Sequence, residues 1–254
     1  MSSPPPPTAL HVRFVDRGGG ARLAYAAQPG AGPTVVFLGG YASDMTGTKA
    51  QYLEGWCGAR GQAFLRFDYQ GHGLSSGRLV DGTISVWRDD ALAVLQECVR
   101  GPALLVGSSM GAWVMLLAAL AAPERVHALV GVAAAPDFTE DLLWARLGED
   151  QRATLRRDGV IHRPSAYGEP LPFTWRLVED GRHHLVLRAP LDLPGPVRLL
   201  HGTRDLDVPW ETSLRLAEAI HGRDVTLTLV KDSEHRLSEP HELALLGAAV
   251  ASLL

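Results

Sequence analysis

Residues 103–111 read ALLVGSSMG and continue into AWVMLLAAL at residues 112–120. An apolar run, a glycine-flanked turn and a long apolar segment in this order predict a buried strand that passes abruptly into a helix. A turn this sharp lifts its central side chain, Ser109, out of the sheet, and Gly107 and Gly111 avoid the clash that a Cβ would make there. The pattern therefore predicts that Ser109 is a nucleophile at a helix N-terminus. Ser108 is the alternative serine, but it is not central between the glycines and we expect it to face into the sheet.

The composition excludes several classes of protein. The chain has 254 residues, 46% of them hydrophobic, which is enough to bury the core of one α/β domain. Its formal net charge of −4 at pH 7 offers no basic surface for nucleic acid or anionic lipid. Its cysteines, Cys57 and Cys98, form neither a metal-ligand spacing nor a disulfide framework. We therefore expect no nucleic-acid partner, no membrane partner and no metal site.

The chain begins MSSPPPP, which lacks the basic segment and apolar stretch of a secretory signal. We expect residues 1–9 to be a disordered, proline-rich lead-in. Elsewhere, polar residues interrupt the apolar stretches well short of the length of a membrane span. These features predict a cytoplasmic protein, and they do not indicate its oligomeric state.

Strand and helix patterns alternate along most of the chain. An antiparallel hairpin is predicted at residues 10–17 and 21–28, on either side of three glycines. After it, strands are predicted at 34–38, 63–69, 103–106, 127–135, 197–201 and 225–230, and helices at 46–59, 84–99, 112–120, 211–221 and 241–254. This alternation favours parallel pairing through right-handed crossovers. The predicted fold class is α/β, with a mostly parallel, eight-stranded twisted sheet and helices on both faces, formed by residues 10–136 and 196–254.

Residues 137–195 interrupt this alternation and are rich in charge, proline and aromatic side chains. We expect a helix at 137–157 and irregular structure as far as residue 194. A long insert between two core strands is typically functional, and the simplest interpretation is a small helical cap over an active site. Its apolar residues either line a pocket for an acyl group or seal the cap onto the core: Phe138, Leu142, Leu143, Trp144, Leu147, Tyr167, Leu171, Phe173 and Trp175.

A nucleophilic serine needs a base and an acid that orients the base. Asp205 follows a late predicted strand, and we expect it to accept a hydrogen bond from the base. Asp207 is the alternative acid, unless it caps the helix that starts near Trp210. The predicted base is His235, which follows the last strand. The other candidate histidines, His72, His183, His184 and His201, are expected to be structural or exposed.

The serine also needs two backbone N–H groups that stabilise the negative charge developing on the substrate oxygen. We expect one from Met110, which follows the serine at the positive end of a helix. The other is expected from the loop after residues 34–38, with Tyr41 as first choice and Gly40 as the alternative. A glycine turn without a catalytic role is the competing interpretation of that loop.

With these residues in place, the chain resembles the serine-type α/β-hydrolases from about residue 10 onward. Residues 66–77, RFDYQGHGLSSG, are similar to the family's D-x-x-G-x-G-x-S loop. One branch of the family is resembled more closely, at residues 38–41, 135–141, 201–210 and 235–240. This branch contains the mitochondrial acyl-protein thioesterase, which also cleaves acyl glucuronides, together with the bacterial relatives of that enzyme. The resemblance implies a hydrolase fold with a small helical cap, and triad roles for Ser109, Asp205 and His235. Gly39-Gly40 stands where many members have His-Gly, and the absence of a His-Gly-Gly-Gly run argues against the hormone-sensitive-lipase type of oxyanion hole.

The leading functional hypothesis is a hydrolase that cleaves carboxylic esters or acyl thioesters through an acyl-enzyme. Its expected partner is a small-molecule or acylated substrate, and it requires no cofactor. An acyltransferase, or a hydrolase of C–C or amide bonds, would use the same three residues and is the first alternative. A non-catalytic ligand receptor on a hydrolase scaffold is the second alternative, and the presence of competent side chains at every triad position argues against it.

Overall fold

The computed structural model describes residues 11–165 and 168–254. The predicted lead-in at residues 1–9 and the candidate pocket residue Tyr167 lie outside the described residues. The strands are β1 (Arg13–Gly18), β2 (Ala21–Gln28), β3 (Ala31–Leu38), β4 (Gln62–Phe67), β5 (Ala103–Ser108), β6 (Val126–Val132), β7 (Val160–Ser165), β8 (Gly168–Thr174), β9 (Val197–Gly202) and β10 (Val225–Val230). The helices are α1 (Thr48–Gly58), α2 (Ile84–Cys98), α3 (Met110–Ala121), α4 (Glu149–Asp158), α5 (Trp175–Gly181), α6 (Glu211–Ala219) and α7 (Pro240–Ala251).

Eight of these strands form one sheet in the order β1-β2-β4-β3-β5-β6-β9-β10. The pairings of β1 with β2 and of β2 with β4 are antiparallel. Every pairing from β4 across to β10 is parallel. The prediction of a mostly parallel, eight-stranded α/β sheet is therefore confirmed.

Helices cover both faces of the sheet, and the central strand β5 is buried along its whole length. Successive side chains of a strand face opposite sides, so β5 contributes to two separate hydrophobic cores. Leu105 lies in the core that also contains Trp87 of α2 and Trp113 of α3. Leu104 and Val106 lie in the other core, which α1 and α7 cover. Burial on both faces explains why residues 103–106 of this strand are all apolar.

The loops that follow the parallel strands meet at one edge of the sheet, because neighbouring parallel strands end on the same side. Leu38 at the end of β3 is paired with Gly107 of β5, and Gly202 at the end of β9 is paired with Val230 of β10. The predicted triad and oxyanion-hole residues all follow β3, β5, β9 or β10. The topology therefore places them in one region without any further adjustment.

The insert, residues 137–195, differs from its prediction. The helix expected at 137–157 is divided into a π-helical turn (Thr139–Leu143), a short 3-10 turn (Trp144–Arg146) and α4. The expectation of irregular structure up to residue 194 is wrong, because β7 and β8 form an antiparallel hairpin and α5 follows it. Prolines obscured this hairpin in the sequence, and a ribbon of two edge strands tolerates them because it needs few backbone N–H donors.

Two carboxylates fix the insert, one by joining its two ends and the other by binding a helix of the core. Asp137 is fully buried and accepts hydrogen bonds from the N–H groups of Val186, at 2.7 Å, and Leu187, at 2.9 Å, which joins the start of the insert to its end. Asp180 of α5 accepts from the backbone N–H of Ser85, at 2.8 Å, and from the Ser85 hydroxyl, at 2.6 Å, at the first turn of α2.

Within residues 11–165 and 168–254, every helix falls short of the length or apolar character needed to cross a lipid bilayer.

Candidate active site

Ser109 occupies a strained turn between β5 and α3. Its backbone has φ 55° and ψ −121°, a left-handed conformation that a residue with a side chain rarely adopts. The turn is held by the Ser109 N–H, which donates to Val132 O at 2.9 Å. A Cβ on Gly107 would lie 2.5 Å from the Cα of Ala112, and one on Gly111 would lie 2.2 Å from Leu38 O. Such strain persists only where the surroundings impose it, and it commonly marks a functional position.

The structure brings Ser109, His235 and Asp205 together. The Ser109 Oγ lies 3.1 Å from His235 Nε2, and His235 Nδ1 lies 2.7 Å from Asp205 Oδ2. Because a carboxylate only accepts hydrogen bonds, Nδ1 carries the proton, and Nε2 is free to accept the proton of the serine hydroxyl. Ser108 pairs with Val132 of β6 instead and is buried, as expected for a side chain that faces into the sheet.

Asp205 is held as an ion by four donors. Oδ1 accepts from the backbone N–H groups of Asp207, at 2.9 Å, and Val208, at 2.8 Å. Oδ2 accepts from His235 and also from His201 Nε2, at 3.1 Å. Burial alone raises the pKa of the Asp205 carboxyl, but the hydrogen bonds from His201 and His235 outweigh burial and hold that pKa well below its usual range.

The 2.7 Å hydrogen bond that orients His235 Nδ1 goes to Asp205 and not to the alternative acid, Asp207. Asp207 is exposed, and its backbone N–H supports Asp205. It does not cap a helix either, because α6 begins at Glu211 and its N-cap residue is Trp210. The geometry therefore favours Asp205 as the acid.

His201 is a site residue whose contact with the acid the sequence analysis did not identify. It is fully buried at the end of β9, and its Nε2 lies within hydrogen-bond distance of both Asp205 Oδ2 and Val208 O, at 3.1 and 3.0 Å. Both oxygens accept, so Nε2 carries the proton and Nδ1 accepts from the Ser213 hydroxyl at 2.6 Å. The sequence signal for this contact is that Asp205 follows His201 by four positions, with a tight turn between them.

The two expected N–H donors lie beside Ser109. Met110 begins α3, and the loop with Gly40 and Tyr41 approaches so closely that a Cβ on Gly40 would lie 3.4 Å from the Ser109 Cβ. Within the described residues, the N–H groups of Met110 and Tyr41 donate to no protein acceptor. Both groups therefore remain available to a substrate oxygen.

The Tyr41 side chain contacts the insert. Its ring stacks on Phe173 of β8 with the ring centroids 4.9 Å apart, and its hydroxyl donates to the carbonyl of Pro172. Phe138 lies 6.4 Å from the same ring and packs edge-on against Trp113. Burial raises the pKa of the Tyr41 hydroxyl well above its usual value, so the hydroxyl remains a donor at physiological pH.

The described candidate pocket residues of the insert fall into three groups. Phe138 and Phe173 contact the Tyr41 loop, while Leu142 and Leu171 are half-buried. The remaining described residues belong to a hydrophobic cluster inside the insert, against which Phe173 also packs, and this favours the interpretation that they stabilise the insert: Leu143, Trp144, Leu147 and Trp175, together with Leu155 and Val178.

Three residues in the same region carry atoms of the kind that bind metal ions. One ligand atom each from Asp205, Asp207 and His235 lies within 4.8 Å of the others. However, both oxygens of Asp205 already accept hydrogen bonds, and a cation would have to break its contact with His235. The arrangement suits the orientation of an imidazole better than the binding of a metal.

An eight-stranded, mostly parallel sheet with a strained serine turn at its centre defines the class of the α/β-hydrolases. The family model described as "Serine aminopeptidase, S33" matches residues 31–161, which is more than half of the chain. The chain belongs to this family of hydrolases, and the resemblance stated from its motifs is confirmed.

Relatives with high similarity cover almost the whole chain. This chain is 39% identical over 247 residues to the mouse protein "Palmitoyl-protein thioesterase ABHD10, mitochondrial", and the match covers 96% of this chain and 82% of that protein. The human protein of the same name is 38% identical over 245 residues, covering 96% and 80%. These names place the relatives in mitochondria, and the cytoplasmic location of this chain stays a prediction.

Two solved structures share the fold closely. A crystal structure from Agrobacterium vitis has a TM-score of 0.91 and 42% sequence identity, covering 96% of this chain and 98% of that chain. The structure of mouse alpha/beta hydrolase domain-containing protein 10 has a TM-score of 0.88 and 37% identity, with the same coverage.

Proposed function

We propose that the protein hydrolyses carboxylic esters or acyl thioesters, with Ser109 as nucleophile, His235 as general base and Asp205 as the acid that orients the base. The observation that carries this proposal is the continuous contact from Ser109 Oγ to His235 Nε2, at 3.1 Å, and from His235 Nδ1 to Asp205 Oδ2, at 2.7 Å. The three side chains come from three loops at one edge of the sheet, in the order along the chain that this fold uses.

In the first half of the reaction, Ser109 Oγ attacks the substrate carbonyl carbon and passes its proton to His235 Nε2. The negative charge that forms on the carbonyl oxygen accepts hydrogen bonds from the N–H groups of Met110 and Tyr41. The bond to the alcohol or thiol then breaks, and the leaving group takes the proton from Nε2. The product of this half is an acyl group on Ser109.

In the second half, His235 Nε2 takes a proton from water, and the resulting hydroxide attacks the acyl carbon. The same two N–H groups stabilise the second tetrahedral intermediate. The bond from carbon to Ser109 Oγ breaks, Oγ takes the proton back from Nε2, and a carboxylic acid leaves. Asp205 remains ionised throughout, because its four hydrogen-bond donors favour the charged form.

The relatives support the thioester part of the proposal. The mouse and human proteins that match this chain are named palmitoyl-protein thioesterases. We therefore expect acyl thioesters to be among the substrates of this protein. The aromatic contacts of Phe138 and Phe173 around Tyr41 supply apolar surface for an acyl chain next to the serine.

The test is a panel of p-nitrophenyl esters and acyl thioesters of increasing chain length, assayed with the wild-type protein, Ser109→Ala and Ser108→Ala. We expect turnover by the wild type, its loss in Ser109→Ala and near-wild-type turnover in Ser108→Ala, the neighbouring buried serine. Activity that survives Ser109→Ala, or the absence of turnover on every substrate, would overturn the proposal. Product analysis in the presence of added alcohol or thiol acceptors separates hydrolysis from acyl transfer.

A further inference from the structure

His72 lies behind the loop that presents the Tyr41 N–H. It belongs to the segment RFDYQGHGLSSG, and the reaction steps above do not use it. Its side chain is buried, with 4% of the residue exposed, and its Nε2 accepts a hydrogen bond from the backbone N–H of Ala42 at 3.1 Å. Of the two alternatives expected for His72, structural or exposed, its burial against the loop at the active site favours the structural one.

The contacts of His72 determine which ring nitrogen carries its proton. A backbone N–H only donates, so Nε2 must be unprotonated to accept from Ala42. Nδ1 lies 3.2 Å from the carbonyl oxygen of Gln70, which only accepts, so Nδ1 carries the proton. Burial lowers the pKa of His72, which favours this neutral form.

Aromatic rings and a shared carbonyl fix the position of the imidazole. It makes edge-on contacts with Tyr69, at 5.7 Å between ring centroids, and with Trp87, at 5.3 Å. The indole N–H of Trp87 donates at 3.1 Å to the same Gln70 carbonyl that His72 approaches. These contacts therefore hold His72 Nε2, the acceptor for the Ala42 N–H, in one orientation.

The loop needs such a support because its backbone is strained. Ala42 has φ 56°, a left-handed conformation that is unfavourable for alanine and that persists only when neighbouring groups impose it. The Ala42 N–H belongs to the peptide unit directly after Tyr41. Fixing that unit limits the rotation of Tyr41 and therefore the direction of its own N–H.

We propose that His72 is a positioning residue: its neutral imidazole holds Ala42 so that the adjacent Tyr41 N–H points at the oxyanion formed on Ser109. This inference rests on the proposed function and deepens it. The hydrogen bond from Tyr41 to the oxyanion forms fully only in the tetrahedral state. Loss of the support therefore lowers kcat and leaves KM nearly unchanged.

The experiment compares His72→Phe, which keeps an aromatic ring but has no acceptor, with His72→Gln, whose side-chain oxygen reaches close to the position of Nε2. We expect His72→Phe to lower kcat by about 10- to 100-fold on a p-nitrophenyl ester, with KM within about threefold of the wild type. We expect His72→Gln to recover most of that loss. Thermal unfolding of each variant shows that it is folded, and His72→Leu replaces His72→Phe if that variant does not fold.

Two outcomes overturn the inference: wild-type kcat in a folded variant without an acceptor, or equally low kcat in His72→Gln and His72→Phe when both are folded. Ser109→Ala distinguishes this failure from failure of the proposed function. If Ser109→Ala is inactive and His72→Phe retains wild-type kcat, only the role of His72 is wrong. If Ser109→Ala retains activity, the proposed function itself is wrong.

Discussion

The rings of Tyr41 and Phe173 stack with their centroids 4.9 Å apart and an angle of 14° between their planes. Tyr41 belongs to the loop after β3, and Phe173 belongs to β8 of the insert. The stack, together with the hydrogen bond from the Tyr41 hydroxyl to Pro172 O, connects the insert to the loop that carries a proposed oxyanion donor. The position of the insert and the geometry of the proposed reaction site are therefore coupled.

Tyr41→Phe separates the hydroxyl from the backbone N–H of the same residue. The ring stack and the N–H remain, while Pro172 O loses its donor. We expect the free energy of unfolding to fall by about 1 kcal/mol and kcat to stay within about threefold of the wild type. Denaturant unfolding and ester hydrolysis measure the two quantities. A large loss of kcat at unchanged stability would show that the hydroxyl itself takes part in the reaction.

Phe173→Ala removes the stack and also opens the contact between β8 and the loop. We expect a larger loss of kcat/KM than in Tyr41→Phe, because both the acyl surface and the support of the loop are reduced. Trp175→Ala is the matched variant, since Trp175 packs against the same cluster of the insert as Phe173 but its ring contacts Trp144 and not Tyr41. If both variants lose activity to the same degree at equal stability, the specific coupling through Phe173 is wrong.

Asp205→Asn tests which carboxylate orients His235. An amide in place of the carboxylate stabilises the wrong tautomer of the imidazole, so we expect kcat to fall by about 10³- to 10⁴-fold. Asp207→Asn is the matched control, because His235 Nδ1 donates to Asp205 at 2.7 Å, and we expect the kcat of this control within about threefold of the wild type. The opposite ranking of the two variants would reassign the acid to Asp207.

The depressed pKa of Asp205 also predicts a dependence of stability on pH. A carboxyl whose pKa is lower in the folded state than in the unfolded chain stabilises the fold above the unfolded pKa of about 4. That stability is lost as the pH falls from about 4 towards the depressed folded pKa. The stability of the wild type relative to Asp205→Asn should therefore fall by about 1.4 kcal/mol per pH unit in this range.

Urea unfolding of both proteins at pH 7, 5, 4 and 3 measures this difference. Relative to its value at pH 5, we expect the difference to decrease progressively below pH 4. A difference that stays constant down to pH 3 would mean that His201 and His235 do not hold the carboxyl in its ionised form.

Much of the fold and of the candidate site can be predicted from patterns among residues that are close together in the sequence. Continuous apolar strands alternating with helices indicate a parallel sheet, and a parallel sheet places the loops after its strands at one edge. For this reason Ser109, Asp205 and His235 were identifiable before any contact was known. Gly107 and Gly111 were similarly identifiable because a tight turn requires residues without a Cβ.

The remaining features depend on contacts between distant segments. His201 binds Asp205, and His72 binds Ala42, yet nothing in either local sequence states which nitrogen accepts or which group it meets. Trp144 and Trp175 are aromatic residues of the kind that line a pocket, but their rings pack against each other, with the ring centroids 5.2 Å apart. The prolines of β7 and β8 are typical of irregular segments, so the hairpin is evident only from the pairing of the two strands.

Gly111→Ala tests whether the serine turn tolerates any side chain at its second glycine. The added Cβ would lie 2.2 Å from Leu38 O and 2.3 Å from Gly39 O, and both are backbone atoms that cannot rotate away. We expect the free energy of unfolding to fall by about 3 kcal/mol, and turnover to fall because Ser109 and the loop after β3 move apart. Gly55→Ala is the matched control: Gly55 lies within α1, a Cβ there meets nothing within 4 Å, and helix propensity predicts a gain of about 0.5 to 1 kcal/mol. Equal stability of the two variants in denaturant unfolding would contradict the close approach of α3 to β3 on which the geometry of Ser109 depends.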